Sequence, residues 1–370
     1  MKIAFISTNE FSSWGGSEEL WSQTAKKMAN QGFTVAANIK GWNPEAKQVQ
    51  QLEEANCQVE RRWYNTLSLA TRILRKLGFD KNYNFLDSFS PNFVVISQGF
   101  SSDGLLWMEE YLSKNIPFAV IVHAASDGHS WLRDEQAARL AKAMISAKKC
   151  FFVSQANLRT LIRITGVNLP NAQIVANPFN VPYKIEIPWV SNKETLKMAC
   201  VARLDSVAKG QDILLEVLKQ EKWKQRPLYV SFFGNGTNRQ VLEKLVDIWH
   251  IKQVKFCGYV NDISSIWKEH HALILPSRYE GLPLSLVEAM LCARTSIVTD
   301  IGGNSELIED NITGFISPAP KAEFLDETLE RAWQKRDFLR EMGQAASISV
   351  RQIIPADPIE AFTNEIITLL

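Results

Sequence analysis

Between Pro276 and Gly303 the chain reads PSRYEGLPLSLVEAMLCARTSIVTDIGG, and two carboxylates, Glu280 and Glu288, stand eight positions apart across a Gly-Leu-Pro turn. The turn leads into an apolar helical run. Pro283 suits a first helical turn, because its missing N–H is not needed there. The amides from Gly281 to Leu286, those of Leu284 and Ser285 among them, are then expected to be unpaired at a helix start, where anionic or hydroxyl-rich ligands bind. Acids beside an anion site make sense when they grip neutral hydroxyls while the amides grip phosphate. A sugar nucleotide has both groups.

Cations for such a ligand stand in VARLDSVAKGQD, where Arg203 and Lys209 follow an apolar strand. Arg offers a bidentate fork and Lys a point charge, and together they suit a diphosphate. The plainer reading is two solvated surface charges. Their place at a strand's carboxyl end, where parallel sheets bind ligands, favours the sharper one. Gly234 and Gly236, in FFGNGTNR, end another apolar strand and count among the donor-side positions. The spacing is G-x-G-x-x-R, and the next strand ends without the acid that would hold an NAD ribose, so a nicotinamide dehydrogenase is disfavoured. No D-x-D triplet occurs, and no Cys/His cluster has metal spacing. The charge compensation for a departing diphosphate falls to Arg203 and Lys209, and no metal or other cofactor is called for.

In the first half, Gly15-Gly16 follows the first strand, where a close backbone approach to phosphate and a simple tight turn are equally good readings. His123 ends the strand Phe118–Val122, with Asp127 and His129 close behind. A strand-end His can bind a sugar hydroxyl or act as a base, or can be a satisfied core residue. Trp14 and Trp131 stand near loops expected to border the site and, with Asp127, are the acceptor-side candidates; the alternative for both rings is ordinary packing.

The elements that must carry these residues alternate strand and helix along the whole chain, which argues a parallel α/β layout. Apolar strands are expected at Ile3–Ile6, Thr34–Ile39, Phe93–Ile96, Phe118–Val122, Cys150–Val153 and Gln173–Ala176. The pattern restarts with Leu196–Val201, Leu228–Phe233, Val254–Cys257, Ala272–Leu275 and Ser296–Thr299. Helical patterns run between them, for example Glu18–Gln31, Glu135–Ala147 and Lys321–Lys335. Proline-punctuated Asn177–Glu194 reads as a hinge linker. The expected division is a domain over 1–182, a second over 183–354, and a terminal helix within 355–370. Two doubly wound domains would then face each other, with the ligand in the cleft between them.

At 370 residues, two domains are the natural prior, and 46% hydrophobic with 22% charged residues is ordinary for a globular chain. A net charge of +1 gives no case for nucleic-acid binding. Five scattered cysteines read as buried free thiols in a reducing cytoplasm. The start, MKIAFIST, enters a strand with no signal-peptide pattern, and no apolar run nears the roughly 18 residues of a membrane span. Residues 61–81 carry six basic side chains and one acid. They read as a helix with a solvated basic face or, more sharply, as a peripheral patch for an anionic membrane at its inner face or for an anionic acceptor.

With these residues laid out, the chain resembles the retaining glycosyltransferases of family 4, which have the two-domain GT-B architecture. The matching pieces run in family order: GGSEE, the strand-end His123, Asn177-Pro178, ARL…KG, GNG, FCGYVND, PSRYEGLPLSLVEAM and IGGNSELIEDNITGF. The resemblance is very strong from Met198 to Ser317 and looser in the first half. It implies that Arg203 and Lys209 hold the donor diphosphate, which Gly16 approaches through its amide. By the same resemblance Glu288 grips the nucleotide ribose, Glu280 lies against the transferred sugar, His123 meets that sugar's hydroxyls, and Leu284 and Ser285 offer amides. It implies retention by front-face attack, with the leaving phosphate accepting the acceptor's proton, and a hydroxyl acceptor that is a glycan, a lipid-linked saccharide or a small molecule. It also implies a terminal helix packed back on the first domain. Three departures stand out: Arg203 to Lys209 spans six positions, Ala202 replaces a glycine, and Cys292-Ala293-Arg294-Thr295 replaces a small residue followed by x-Gly-x-Pro. The alternative is a non-transferring relative on the same fold, such as an epimerase, a phosphorylase or a binding protein. An epimerase would want more acid/base residues and a phosphorylase a pyridoxal-phosphate lysine, and the sequence offers no sign of either.

Overall fold

The computed structural model describes residues 1–10, 13–63, 88–125, 131–191 and 194–370. The chain divides into two compact units, one of Met1–Pro178 with Asp357–Leu370, the other of Phe179–Ala356. Each is built on a wholly parallel sheet.

The first sheet has seven strands: β1 Lys2–Ser7, β2 Thr34–Lys40, β3 Gln58–Arg62, β4 Phe93–Gln98, β5 Phe118–Val122, β6 Lys149–Phe152 and β7 Ala172–Ile174, in the order β3-β2-β1-β4-β5-β6-β7. Order reverses between β1 and β4, where Ile3 pairs with Val35 on one side and Phe93 on the other. Helices cover both faces, so successive residues of a strand go to different cores. Ala4, Ile6, Val94 and Ile96 pack on one side, and Ile3, Phe5, Phe93 and Val95 on the other. This is why these strands read as unbroken apolar runs with no alternation. The terminal helix Pro358–Thr368 belongs to this unit. Phe362 and Ile366 join the second of those cores, the Phe362 ring meets Phe151 edge-on at 5.0 Å, and Lys27 pairs with Glu360.

The second sheet has six strands: β8 Leu196–Val201, β9 Leu228–Phe233, β10 Val254–Gly258, β11 Ala272–Leu275, β12 Thr295–Thr299 and β13 Gly314–Ser317, in the order β10-β9-β8-β11-β12-β13. Its order reverses between β8 and β11. A reversal of this kind opens a crevice at the carboxyl ends of the strands.

Two strands escape sequence reading, and both are edges. β3, with the sequence QVERR, is polar because one of its sides is unpaired, and charges there discourage aggregation. β13 is only four residues long. The expectation of a basic helix beginning at Arg61 is corrected in the same place. Arg61 pairs with Glu45 and Glu53, and Arg62 is buried with its guanidinium on Asn38 and the Ser7 carbonyl, so neither forms part of a solvated basic face. Residues 64–81 of that segment lie outside the described residues. Among the described residues, no helix is long and apolar enough to cross a membrane.

Asn177–Glu194 needs a correction as well. From Phe179 the strip is part of the second unit, with Val181 and Val190 buried. The Tyr183 hydroxyl donates to the carbonyls of Arg351 and Ile354, and Arg351 donates back to the Tyr183 carbonyl. A prolyl-rich sequence without periodicity looks like free linker, but here its backbone groups find partners in the unit they border.

Candidate functional site

At the carboxyl edge of the second sheet, β8 runs into the loop carrying Arg203 and Lys209. Asp205 caps the short helix Ser206–Lys209, and the turn is closed by Gly210 at φ 63°. The loop is clamped to the segment after β11. Arg278 and Tyr279 donate their amides to the Ala208 carbonyl, and the Arg278 guanidinium bonds the Ser206 carbonyl and takes Asp212 bidentately at 2.7 and 2.8 Å. That clamp brings Lys209 Nζ to 2.7 Å from Glu280 Oε1, across 71 positions of sequence. Glu280 is buried and also accepts from the Ser277 hydroxyl at 2.7 Å. Arg203 is half-exposed and meets Asp205 at 3.1 Å.

Gly234 and Gly236 have a first task that is steric. A Cβ on Gly234 would stand 2.2 Å from the Ala202 carbonyl oxygen, and one on Gly236 2.2 Å from that of Leu204. Only glycines let the Arg203 loop lie on the end of β9. Gly302, at φ 58°, plays the same part behind the acids: a Cβ there would stand 2.2 Å from the Glu280 carbonyl oxygen. The Gly303 amide bonds the Gly281 carbonyl at 2.7 Å, which backs the Glu280–Gly281 turn from the far side.

The helix after the turn is Leu284–Leu291, with Pro283 at its cap. The amides of Leu284 and Ser285 take no partner among the described residues, whereas that of Leu286 is already bonded to the Pro283 carbonyl at 3.1 Å. The run of outward amides is therefore shorter than the sequence suggests. Glu288, in the second turn of this helix, is buried, and burial pushes its carboxyl above the usual range. Asn180 opposes that shift: its backbone amide and its side-chain amide both donate to Glu288 Oε1, each at 2.9 Å. The segment Cys292–Thr295 is sound despite its composition. Ala293 takes φ 55°, and the buried Arg294 gathers the carbonyls of Pro188, Trp267, His270 and Cys292, burial pushing its guanidinium down to about 10.

The carboxyl edge of the first sheet has a different character. His123 is buried, and burial pushes its imidazole down to about 3, so it is neutral at ordinary pH. Its Nε2 lies 3.1 Å from Ser97 Oγ at the end of β4, and its Nδ1 has no partner among the described residues. Gly16 opens the helix Gly16–Asn30. Two positions on from it, Glu18 is buried and accepts from the hydroxyls of Ser7 and Ser17 at 3.2 and 2.6 Å. Burial outweighs these bonds and carries its carboxyl up to about 7. Trp14 is half-buried against Trp21 and donates to Glu19 at 2.7 Å, so its ring is already in packing, while Trp131 is 69% exposed. Asp127 lies outside the described residues. Sequence reading missed Glu18, Ser97 and Asn180. For Glu18 a signal was present, a carboxylate on the apolar face of an amphipathic helix. Among the described residues, no group of three or more His, Cys, Asp or Glu side chains is placed to hold a metal ion.

Residues 184–348 match the family model described as "Glycosyl transferases group 1". The alpha-D-kanosaminyltransferase of Streptomyces kanamyceticus is 27% identical over 38% of this chain and 37% of its own length. The O-antigen biosynthesis glycosyltransferase WbnH of Escherichia coli is 24% identical over 77% of this chain and 85% of its own. Alignments to the kanosaminyltransferase and two further curated glycosyltransferases span 37–41% of those proteins' lengths. Among solved structures, Anabaena HepE in complex with UDP-glucose superposes over the whole of both chains with a TM-score of 0.76 at 17% identity. The architecture is thus GT-B, two Rossmann-like parallel-sheet units in one chain. The stretch that resembles glycosyl transferases group 1, residues 184–348, is the one that holds Arg203, Lys209, Glu280 and Glu288.

Proposed function

We propose that the chain is a retaining family 4 glycosyltransferase that moves a sugar from a nucleotide diphosphate to a hydroxyl acceptor, without a metal ion. The observation that supports this best is the Lys209–Glu280 pair, held beside the exposed Arg203 and the open amides of Leu284 and Ser285. An anion meets cations and N–H groups there, and a neutral sugar meets a carboxylate.

In this reading Arg203 and Lys209 take the diphosphate, with Gly281, Leu284 and Ser285 adding amides. As the glycosidic bond breaks, negative charge grows on the phosphate, where those donors are already oriented and need no reorganisation. Glu280 faces the positive charge that develops on the sugar, and its bond to Lys209 holds it in place. Glu288 holds the ribose. His123, neutral through burial, offers a hydrogen bond to a sugar hydroxyl and is a poor base, which suits front-face attack with the phosphate taking the proton. The sequence has no D-x-D triplet to carry a divalent ion, and the two cations fill that role. A cytoplasmic setting suits the buried thiols of Cys150, Cys200 and Cys292, each pushed up to about 12 by burial.

Incubation with UDP- and GDP-sugars, with and without EDTA, tests this. Release of nucleoside diphosphate that persists in EDTA is expected. Release that needs added Mg²⁺ or Mn²⁺ would overturn the metal-free mechanism, and the absence of both release and donor binding would overturn the transferase reading.

A further inference from the structure

We infer that Asn180 is a positioning residue for Glu288, holding one carboxylate oxygen so that the other is presented to a ribose hydroxyl of the donor nucleotide. The inference rests on the role proposed for Glu288 above and adds the residue through which that role is made specific.

The geometry is asymmetric. Both donors of Asn180 fall on Oε1 of Glu288 at 2.9 Å, and Oε2 accepts no hydrogen bond among the described residues. A carboxylate can accept about four hydrogen bonds, so Oε2 retains its full capacity. Two donors from one residue fix the plane of the carboxylate as well as its place. A single donor would leave it free to rotate. The ligand-facing oxygen is thereby set before the ligand arrives, which lowers the ordering entropy lost on binding.

Asn180 is itself held firmly. It stands three residues before Tyr183, which is bonded to Arg351 and Ile354, and one before the buried Val181. The partners are 108 positions apart in sequence, so no local turn accounts for the contact. A residue serving only to tie the strip to the helix would work as well on any surface carboxylate. This one meets a carboxyl that is 3% exposed.

The test compares UDP with 2′,3′-dideoxy-UDP on the full chain, measuring dissociation constants by titration calorimetry for wild type, Asn180→Ala and Asn180→Asp. Wild type should prefer UDP. In Asn180→Ala the side-chain donor is lost and UDP should bind about tenfold more weakly, the dideoxy compound being unchanged. Asn180→Asp sets a carboxylate against Glu288 and should lose more. A variant that weakens both compounds equally, or one that keeps the wild-type ratio, would overturn the proposal. Glu288→Gln separates this from the broader reading: if it lowers the UDP preference while Asn180→Ala does not, Glu288 keeps its role and Asn180 has none. Failure of wild type to bind either UDP or GDP would overturn both.

Discussion

The carboxyl edges of the two sheets share a topology and differ in chemistry. In the second unit the edge is charged, with Lys209 on Glu280, Arg278 on Asp212 and the half-exposed Arg203 on Asp205. In the first unit the edge is buried and close to neutral: an uncharged His123 beside Ser97, and a Glu18 that burial brings near neutrality. One arrangement suits a diphosphate, the other a set of hydroxyls. The contrast teaches that a doubly wound sheet supplies only the place for a ligand, at the strand ends. Whether that place attracts anions or uncharged polar groups depends on how deeply the side chains there are buried.

The most severe test of this difference between the units is truncation after Pro355. It removes Phe362 and Ile366 from the first unit's core, each burial contributing about 1.5–3 kcal/mol. Hydrogen exchange should accelerate in β1 and β5 and stay unchanged in β8 and β11. Equal protection loss in both sheets would show that the units are not energetically separate.

Next in size is the charged edge itself. On the proposed function, Lys209→Ala would remove a charge-assisted contact to the diphosphate and leave buried Glu280 without its cation, so turnover should fall at least about tenfold. Arg203→Ala should fall by a similar factor with less change in melting temperature, because Arg203 is half-exposed and its pair with Asp205 adds little stability. Full activity in either variant, measured as nucleoside diphosphate release, would remove the diphosphate assignment.

The neutral edge is tested by pH. His123 has a folded pKa of about 3, below its unfolded value, so the unfolded chain binds more protons and stability falls as pH drops from about 6.5. Glu18 works in the opposite sense. Its folded value of about 7 lies above 4.5, so the folded chain binds more protons, and stability falls as pH rises from 4.5 to 7. Glu18→Gln should therefore raise the melting temperature of the first unit above pH 7, the group's contribution being up to roughly 3 kcal/mol. His123→Phe should flatten the acid side. Identical pH–stability curves for wild type and Glu18→Gln would show that the carboxyl is not titrating as described.

The smallest contrast lies within the charged edge. On the proposed function, Glu288→Gln should mainly raise the donor KM, since a ribose contact would be equal before and during reaction, while Glu280→Gln should mainly lower kcat. A pure KM effect in both would make Glu280 a binding residue only.

Much of the second unit is legible in its residue pattern. Strands buried on both faces announce themselves as apolar runs, and the EGLPLSLVE turn carries its own helix start, so most of the sheet and the presence of cations and acids at its edge follow from residue types and spacing, whereas the Lys209–Glu280 pair across 71 positions does not. The polar edge strand β3 is not legible in this way, because its charges are set by an unpaired side that no local pattern reveals.

What the chain determined by itself is therefore local: the 3.6-residue and two-residue periodicities, the proline at a helix start, and the glycines at strand ends. The tertiary structure decided which of those glycines are steric. Gly234, Gly236 and Gly302 are needed because another stretch of backbone lies on each of them. It also decided the burial that neutralises His123 and raises Glu18, and the contact of Asn180 with Glu288. The reason is physical. Propensity and spacing act over a few residues of chain, whereas desolvation and close approach depend on what the rest of the molecule brings within a few ångströms.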